Sequence, residues 1–214
     1  MDGNRRYATE HALPTLEGHR RGLEVFLDVV DFVSAASVSH AVFYAFSTEN
    51  WKRSTEEVAY LMQLFSELLT RMSDELEARS VRVRIVGRRA DFSPELQQQM
   101  NAIEIQSAPY TTTTIWIALS YGGRAEIVEA VNAAVEQGVL VTETSFKELL
   151  WTAELPDPDM IVRTSGETRL SNFLTWGSAY SELHFISKHW PALTKSDFDD
   201  ILMEYGRRTR RYGG

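Results

Sequence analysis

The segment Arg163 to Phe173, RTSGETRLSNF, gathers polar groups suited to binding an anion. It carries two arginines, four hydroxyl groups and a glycine in a chain whose formal net charge is -8. It follows LPDPDMIV, which is typical of a turn and a buried strand, and α/β proteins usually place ligands where such strands end. Guanidinium groups bind phosphate oxygens through paired hydrogen bonds, and hydroxyl and backbone N–H groups complete a cradle. We therefore predict that Arg163, Arg169 and Ser171 bind a diphosphate.

The amino-terminal segment MDGNRRYA places a carboxylate beside a flexible turn and two arginines. Asp2 is followed by Gly3 and Asn4, and then directly by Arg5 and Arg6. Proteins usually bind Mg²⁺ through one or two carboxylates together with phosphate oxygens, because the ion keeps much of its water. The segment therefore predicts a carboxylate that shares Mg²⁺ with a phosphate group.

Both segments also have an explanation that needs no ligand. Surface arginines usually pair with carboxylates, and Glu167 and Glu182 are available to Arg163 and Arg169. A chain terminus is by default frayed, which would leave Asp2 in solvent. Neither segment, taken alone, decides between these interpretations.

A third polar segment, FSTENWKRSTEE, follows a predicted strand. It offers short polar groups, apolar walls and a possible ion pair, from Phe46, Ser47, Asn50, Trp51, Arg53 and Glu57. The alternative is a capping loop, in which Ser54 or Thr55 begins the long helix that follows and Glu57 is its capping-box acid.

Two further features carry weaker signals. His19 lies early in a predicted helix, where anions are favoured, although a lone histidine is more often structural. SYGGR, at residues 120–124, resembles a phosphate-binding glycine turn only loosely and serves equally well as a strand-to-helix connection. The standard nucleotide, metalloprotease and hydrolase motifs are absent, and DFDD at residues 197–200 does not fit the DDxxD signature of all-helical trans-prenyltransferases.

The composition is typical of one globular domain. The chain has 214 residues, of which 43% are hydrophobic and 24% charged. The lack of cysteine excludes disulfides and thiolate-bound metals, and the acidic balance argues against nucleic acid as a partner. No apolar run approaches the length of about 20 residues that spans a bilayer, and the polar start MDGNRRYATEH is unlike a signal peptide. We expect a cytoplasmic protein.

Predicted strands alternate with predicted helices. The strands are expected at 39–47, 81–87, within 111–124 and at 160–163, and the helices at 17–36, 55–79, from 93, at 125–138, around 145–152 and about 196–211. The clearest helix is 55–79, whose apolar residues recur at spacings of three and four. The alternation predicts an α/β fold with a central, largely parallel sheet flanked by helices, in a single domain spanning 1–214.

Seven segments in order strongly resemble the cis-prenyltransferases, the undecaprenyl diphosphate synthase family. They are MDGNRRYA, EGHRRG, YAFSTENWKRSTEEV, VRVRIVG, YGGRAEIV, LPDPDMIVRTSGETRLSNFL and AYSELHF. The resemblance covers nearly the whole chain, and YAFSTENW and RTSGETRLSNF are its most specific parts. It implies that the protein adds isopentenyl diphosphate units in cis geometry to an allylic diphosphate, with Mg²⁺, as a homodimer.

The resemblance also implies roles residue by residue. Catalysis is assigned to Asp2 and Asn50, and metal binding to Asp2 and to Glu182, which acts across the dimer interface. The implied substrate-binding residues are Gly3, Asn4, Arg5, Arg6 and His19 at the allylic diphosphate, Phe46, Ser47, Trp51, Arg53 and Glu57 where the substrates are positioned, Arg163, Arg169 and Ser171 at the isopentenyl diphosphate, and Arg211 and Gly213 in the partner's site.

A growing hydrocarbon needs an apolar tunnel. The residues expected to line it, which could equally be core residues, are Leu23, Phe26, Leu27, Val30, Val33, Leu61, Phe65 and Leu68. Because the product is apolar, transient membrane contact is plausible without an anchor.

Three departures from the family pattern affect these expectations. The family normally carries an apolar strand just before MDGN, and its apparent absence would leave Asp2 poorly anchored. Thr15 stands where bacterial members often have an arginine, while Arg5 replaces a common glycine. Trp116 replaces a smaller polar residue and would shorten the product if it faced the tunnel. With no extra residues in the 55–79 helix, we expect a product of short to medium length.

Two other functions remain open. One is a short-chain or irregular-coupling prenyl diphosphate synthase. The other is a non-catalytic partner subunit of a heteromeric prenyltransferase, but such subunits typically lose the catalytic carboxylate and the diphosphate loop. Retention of Asp2, Arg163, Arg169 and Ser171 favours an enzyme.

Overall fold

The computed structural model describes residues 1–207, so the predicted site residues Arg211 and Gly213 lie outside the described part. The helices are α1 (Asn4–Glu10), α2 (Thr15–Ala35), α3 (Thr55–Asp74), α4 (Leu76–Arg79), α5 (Pro94–Ser107), α6 (Gly123–Gln137), α7 (Glu143–Lys147) and α8 (Lys195–Arg207). The strands are β1 (His40–Ser47), β2 (Arg82–Val86), β3 (Thr114–Tyr121), β4 (Met160–Arg163) and β5 (Glu182–Phe185). Short 3₁₀ turns lie at Thr48–Lys52, Arg89–Asp91 and Trp190–Ala192.

The sheet is parallel, as the alternation of strands and helices predicts. Its three strands lie in the order β1-β3-β2, and β4 and β5 form a second parallel pair. The central strand β3 is buried at all eight positions, because it has a strand on each edge and packed side chains on both faces. The predicted α/β class, with a parallel sheet flanked by helices, is confirmed.

The two faces of this sheet pack into different cores. Ile115, Ile117 and Leu119 of β3 join the large core that α2, α3 and α5 close. Trp116 and Ala118, which alternate with them, and Tyr121, which follows a register shift, join a smaller core with Leu155 and Leu174. Trp116 therefore points away from α2 and α3. It does not face a tunnel lined by these helices and would not shorten the product there.

The chain start is helical rather than frayed. Gly3, at a φ of 102°, is the N-cap of α1, and α1 crosses α2 at two glycines. A Cβ added at Gly18 would lie 2.0 Å from the backbone oxygen of Asn4, and one at Gly22 would lie 2.3 Å from the Asn4 side-chain oxygen. The two glycines of EGHRRG thus allow a close contact that places MDGNRR beside the sheet.

Several element boundaries differ from prediction. The long predicted helix is interrupted at Glu75 and resumes as α4. The helix expected around 145–152 lies at Glu143–Lys147, where Thr142 provides a capping box. The strand β5 has no counterpart in the prediction, since four residues in the family segment AYSELHF carry little periodicity.

Two isoleucines of α5 test the assignment of the large core. Ile103 is 1% exposed and Ile105 is 77% exposed. We expect Ile103→Ala to lower the free energy of unfolding by about 2–5 kcal/mol, since it removes buried methylenes and leaves a cavity. Ile105→Ala should change it by less than about 0.5 kcal/mol. Urea denaturation of both variants measures this; equal losses would contradict the assignment.

Candidate functional site

A large cavity collects most of the predicted site residues. It has a volume of about 1590 Å³ and lies between β1 and β4. Its lining includes Asp2, Gly3, Asn4, Arg5, Arg6, His19, Ser47, Asn50, Arg53, Arg163, Arg169 and Ser171. Residues from three segments that are far apart in the sequence therefore meet at one concave surface.

The Asp2 carboxylate lies between two guanidinium groups. Arg163 Nη2 donates to Oδ2 at 3.0 Å, and Arg6 Nη2 lies 3.2 Å from Oδ1. Partial burial alone would raise the pKa of Asp2, but the hydrogen bond from Arg163 and the charges of Arg163 and Arg6 outweigh it and hold the pKa below 3.8. The carboxylate is therefore ionised at neutral pH.

The backbone of Asp2 is held as firmly as its side chain. Its N–H donates to Thr164 Oγ1 at 2.8 Å. Its carbonyl oxygen accepts from Thr164 Oγ1 at 2.7 Å, from Ser165 Oγ at 3.0 Å and from the Trp190 N–H at 2.9 Å. The expectation that Asp2 is poorly anchored is therefore wrong, because the end of β4 and the Trp190 turn hold it.

The loop after β4 arranges the predicted diphosphate cradle. Arg163 Nη1 donates to Ser171 Oγ at 2.8 Å and also to the Arg169 carbonyl. Arg169 pairs with Glu167, as the surface-pairing interpretation predicts, and Glu167 also accepts from Arg6 at 2.8 Å. Arg163 also pairs with a carboxylate, that of Asp2 at 3.0 Å, so the ligand-free interpretation is met for both arginines in this structure.

His19, Glu57 and Arg53 form a largely buried polar group. His19 Nε2 lies 3.1 Å from Glu57 Oε1, and Arg53 Nη1 donates to the same oxygen at 2.9 Å. Burial lowers the pKa of His19 and the hydrogen bond to Glu57 raises it. The effect of burial is larger, so the pKa lies below 6.5. Burial would raise the pKa of Glu57, but the bond from His19 and the charges of Arg53 and Arg5 hold it below 4.5. The group thus combines a neutral imidazole with an ionised carboxylate.

The start of α3 confirms part of the capping interpretation. Ser54 is the N-cap and accepts from the Glu57 N–H at 3.3 Å. The Glu57 side chain turns to His19 and Arg53 rather than completing the capping box, and the predicted Arg53–Glu57 ion pair is present.

The turn after β1 is fixed by residues that the sequence analysis selected, together with Asp91, which it did not. Ser47 and Asn50 form a capping box, with the Ser47 N–H donating to Asn50 Oδ1 at 3.0 Å. Trp51 Nε1 donates to Ser120 Oγ at 2.8 Å, and Ser120 donates to Asp91. The Trp51 ring also packs edge-on against Phe46, which is 1% exposed. Phe46 and Trp51 thus form a wall behind the cavity lining.

Asn172 links three segments of the site. Its Nδ2 donates to Glu49 at 3.0 Å, its Oδ1 accepts from the Arg124 N–H at 2.8 Å, and its carbonyl accepts from the Gly123 N–H at 2.7 Å. The SYGGR turn therefore connects to the cradle loop through Asn172. The only sequence signal was its place within RLSNF.

Glu182 lies away from Asp2 in this chain. The β4–β5 register pairs Glu182 with Met160 and Phe185 with Arg163. Glu182 is thus three strand positions, about 10 Å, from the end of β4 that contacts Asp2.

Of the residues expected to line a tunnel, two line the cavity and the others are packed in the core. Val33 and Leu61 line the cavity. The others are packed in the large core, at Leu23, Phe26, Leu27, Val30, Phe65 and Leu68. Apolar residues that line the cavity, besides Val33 and Leu61, include Val29, Phe32, Ile161, Phe198, Ile201 and Leu202. A polar surface and an apolar surface therefore share one space.

Comparison with known proteins assigns the family. The family model described as putative undecaprenyl diphosphate synthase matches residues 1–213. The chain belongs to this family. It is 42% identical over 219 residues to an isoprenyl transferase of Thermotoga maritima, covering 100% of this chain and 94% of that protein. It is 43% identical over 220 residues to isoprenyl transferase 2 of Corynebacterium efficiens, covering 100% and 90%.

Two solved structures share the fold. Lavandulyl diphosphate synthase from Lavandula x intermedia, in complex with dimethylallyl diphosphate, superposes with a TM-score of 0.94 at 30% identity, covering 100% of this chain and 95% of that one. A probable undecaprenyl diphosphate synthase from Campylobacter jejuni gives a TM-score of 0.82 at 28% identity, covering 91% and 93%. Within residues 1–207, no helix has the length and apolar character needed to cross a membrane.

The lowered pKa of His19 predicts how stability depends on pH. The unfolded imidazole titrates near 6.5 and the folded one below it, so the unfolded state binds the proton first on acidification. The free energy of unfolding should therefore fall as the pH drops below 6.5, by about 1.4 kcal/mol for each tenfold difference in proton affinity. Urea denaturation at several pH values measures this dependence.

His19→Gln serves as the comparison in that experiment. It should weaken the loss of stability on acidification and leave the part due to other groups, such as His40, whose pKa burial also lowers. An identical pH dependence in the variant and the wild type would show that His19 is not the group responsible.

Proposed function

We propose that the protein condenses isopentenyl diphosphate with an allylic diphosphate and elongates a cis-polyprenyl diphosphate of short to medium length. The observation that carries the proposal is the position of Asp2. Its ionised carboxylate lies between Arg6, next to the proposed allylic site, and Arg163, in the proposed isopentenyl site. The names of the related isoprenyl transferases support the same reaction.

The proposed reaction moves charge onto a leaving diphosphate. The bond between the allylic carbon and its diphosphate oxygen breaks, and the electron pair leaves with the diphosphate. The double bond of isopentenyl diphosphate forms the new carbon–carbon bond, and the proton lost from the isopentenyl unit would pass to the departing diphosphate. Arg5 and Arg6 would stabilise the charge that develops on the departing diphosphate. Arg163, Arg169 and Ser171 would hold the other diphosphate, which persists in the product.

The neighbouring polar groups would orient the reacting carbons. Ser47 and Asn50 lie in the cavity lining and are fixed to each other by the capping box. Asn50 is the residue we assign to the proton-transfer step. Glu57 and His19 would place the Arg53 guanidinium, which also lines the cavity, against a substrate diphosphate. Positioning of two anchored chains supplies much of the rate in such a reaction.

Mg²⁺ is proposed as the cofactor and would be bound mainly by substrate. Among residues 1–207 no group of three or more His, Cys, Asp or Glu side chains could hold a metal ion. A single ionised carboxylate, Asp2, beside a diphosphate cradle suits Mg²⁺, which takes one or two carboxylates together with phosphate oxygens and water. The ion would neutralise diphosphate charge.

A homodimer is proposed as the active form, with Glu182 as a metal-linked acid that acts across the interface. Support comes from the apolar side chains near Glu182 in the sequence, since Tyr180 is 83% exposed and Leu183 is 41% exposed. Arg211 and Gly213 would act in the partner's site. The apolar part of the cavity would receive the hydrocarbon, and transient membrane contact would allow the product to leave. We place the protein in the cytoplasm.

An irregular-coupling or short-chain synthase remains the second candidate. The specific observation in its favour is the TM-score of 0.94 with lavandulyl diphosphate synthase. A non-catalytic partner subunit is less favoured, because Asp2, Arg163 and Ser171 are joined by hydrogen bonds in one site.

The deciding experiment is incorporation of radiolabelled isopentenyl diphosphate with a panel of allylic primers, with products resolved by length. We expect elongated cis products with Mg²⁺ and none after chelation with EDTA. Asp2→Ala should reduce kcat by at least about 10²-fold, since it removes the charge between the two diphosphate sites. Glu136→Ala, on the exposed surface of α6, is the matched control and should retain activity.

The other outcomes each point to a different function. Dimethylallyl diphosphate consumed without isopentenyl diphosphate would indicate irregular coupling. A folded protein that incorporates nothing with any primer would contradict the proposal and favour the partner-subunit alternative. Measuring its mass by sedimentation in the same buffer shows whether the dimer forms.

A further inference from the structure

His189 connects two groups that the proposed chemistry does not use. Its Nδ1 lies 2.7 Å from Ser165 Oγ, and its Nε2 lies 2.9 Å from Glu10 Oε1. The His189 side chain is only 14% exposed, whereas that of Glu10 is 60% exposed. The orientation of the ring is therefore defined by contacts at both nitrogens.

Ser165 carries this connection to Asp2. Its Oγ lies 3.0 Å from the Asp2 carbonyl oxygen, and its backbone has a φ of 74°, a left-handed conformation that is costly for serine. Two backbone bonds hold it there, from Ser165 N–H to the Lys188 carbonyl and from Gly166 N–H to the Ile186 carbonyl, both 2.8 Å. The hydroxyl is therefore fixed between the His189 ring and the Asp2 peptide.

Ser165 and His189 also pack against Gly3, the residue after Asp2. A Cβ added at Gly3 would lie 2.0 Å from Ser165 Oγ and 2.6 Å from His189 Nδ1. The backbone at Gly3 thus lies against the Ser165–His189 contact, with no room for a side chain. The direction in which the Asp2 side chain leaves the backbone is set by this contact together with the Thr164 and Trp190 hydrogen bonds.

We propose that Glu10, His189 and Ser165 form a positioning chain that sets the orientation of the Asp2 carboxylate between the two diphosphate sites. The inference rests on the proposed function and adds three positioning residues to it. None of them contacts substrate in this proposal; they act through the backbone of Asp2 and Gly3.

The positioning chain of Glu10, His189 and Ser165 also fixes the helix that carries the allylic-site arginines. Glu10 is the last residue of α1, and Gly3 is its N-cap. One imidazole therefore contacts both ends of the helix on which Arg5 and Arg6 lie. A shift of this ring would move Asp2 and Arg6 together relative to Arg163, and misplacement by about 1 Å can cost about 10²-fold in rate.

The test is a double-mutant cycle in the full-length protein. His189→Ala and Ser165→Ala should each lower kcat about tenfold, with KM for isopentenyl diphosphate changed less than about threefold, because the side chains of Arg169 and Ser171 are untouched. Residues that act as one unit are not additive, so the double variant should also lose about tenfold rather than about 100-fold. His189→Asn, whose side-chain amide reaches the position of Nδ1 and can donate or accept there, should restore most of the loss.

A structural readout makes the test independent of activity. In heteronuclear NMR spectra, His189→Ala should shift the backbone amide resonances of Asp2, Gly3 and Trp190, while Glu136→Ala should not. A multiplicative loss in the double variant, or full activity of His189→Ala, would overturn the proposal. Failure of the proposed function is distinguishable, because the wild type itself would then be inactive.

Discussion

The attachment of Asp2 to the end of β4 is the constraint on which the rest of the site depends. Three consecutive residues contact Asp2: Arg163 its carboxylate, Thr164 its backbone N–H and carbonyl, and Ser165 its carbonyl. The amino-terminal motif and the RTSGE loop are therefore one unit, although more than 160 positions separate them in the sequence. The close crossing of α1 over α2 at Gly18 and Gly22 then brings the remaining arginines to the same surface.

This arrangement would allow an acidic chain to bind the two diphosphates of the proposed reaction. We assign five arginines to substrate binding among the residues that the structure describes, and all five line the cavity: Arg5, Arg6, Arg53, Arg163 and Arg169. Most are held by carboxylates, and Asp2, Glu57 and Glu167 each contact at least one of them. Such pairing fixes the geometry of the guanidinium groups before substrate arrives. In the proposed reaction a diphosphate would replace a carboxylate as the partner of a guanidinium group, and the Asp2 carboxylate would then be available to Mg²⁺.

The parts of the fold that give a periodic pattern or belong to an ordered set of motifs were predictable from the sequence. The alternation of predicted strands with predicted helices, together with the three-and-four spacing of α3, correctly predicted a parallel sheet flanked by helices. Short elements such as α1 and β5 have too few residues for a periodic signal, and only tertiary contacts define them. Motif residues that hold charge were found. The neutral residues that join the motifs by hydrogen bonds, such as Thr164 and Asn172, were missed because nothing in their residue type marks the partner.

The most direct test of the central claim compares two buried threonines. Thr164 is 2% exposed and bonds the Asp2 backbone twice, whereas Thr113 is fully buried and its Oγ1 has no hydrogen-bond partner among the described residues. Replacement by valine keeps the shape and removes the hydroxyl. The measurement is kcat for isopentenyl diphosphate incorporation. Our account predicts a loss of at least about tenfold in Thr164→Val and none in Thr113→Val; wild-type kcat in Thr164→Val would contradict it.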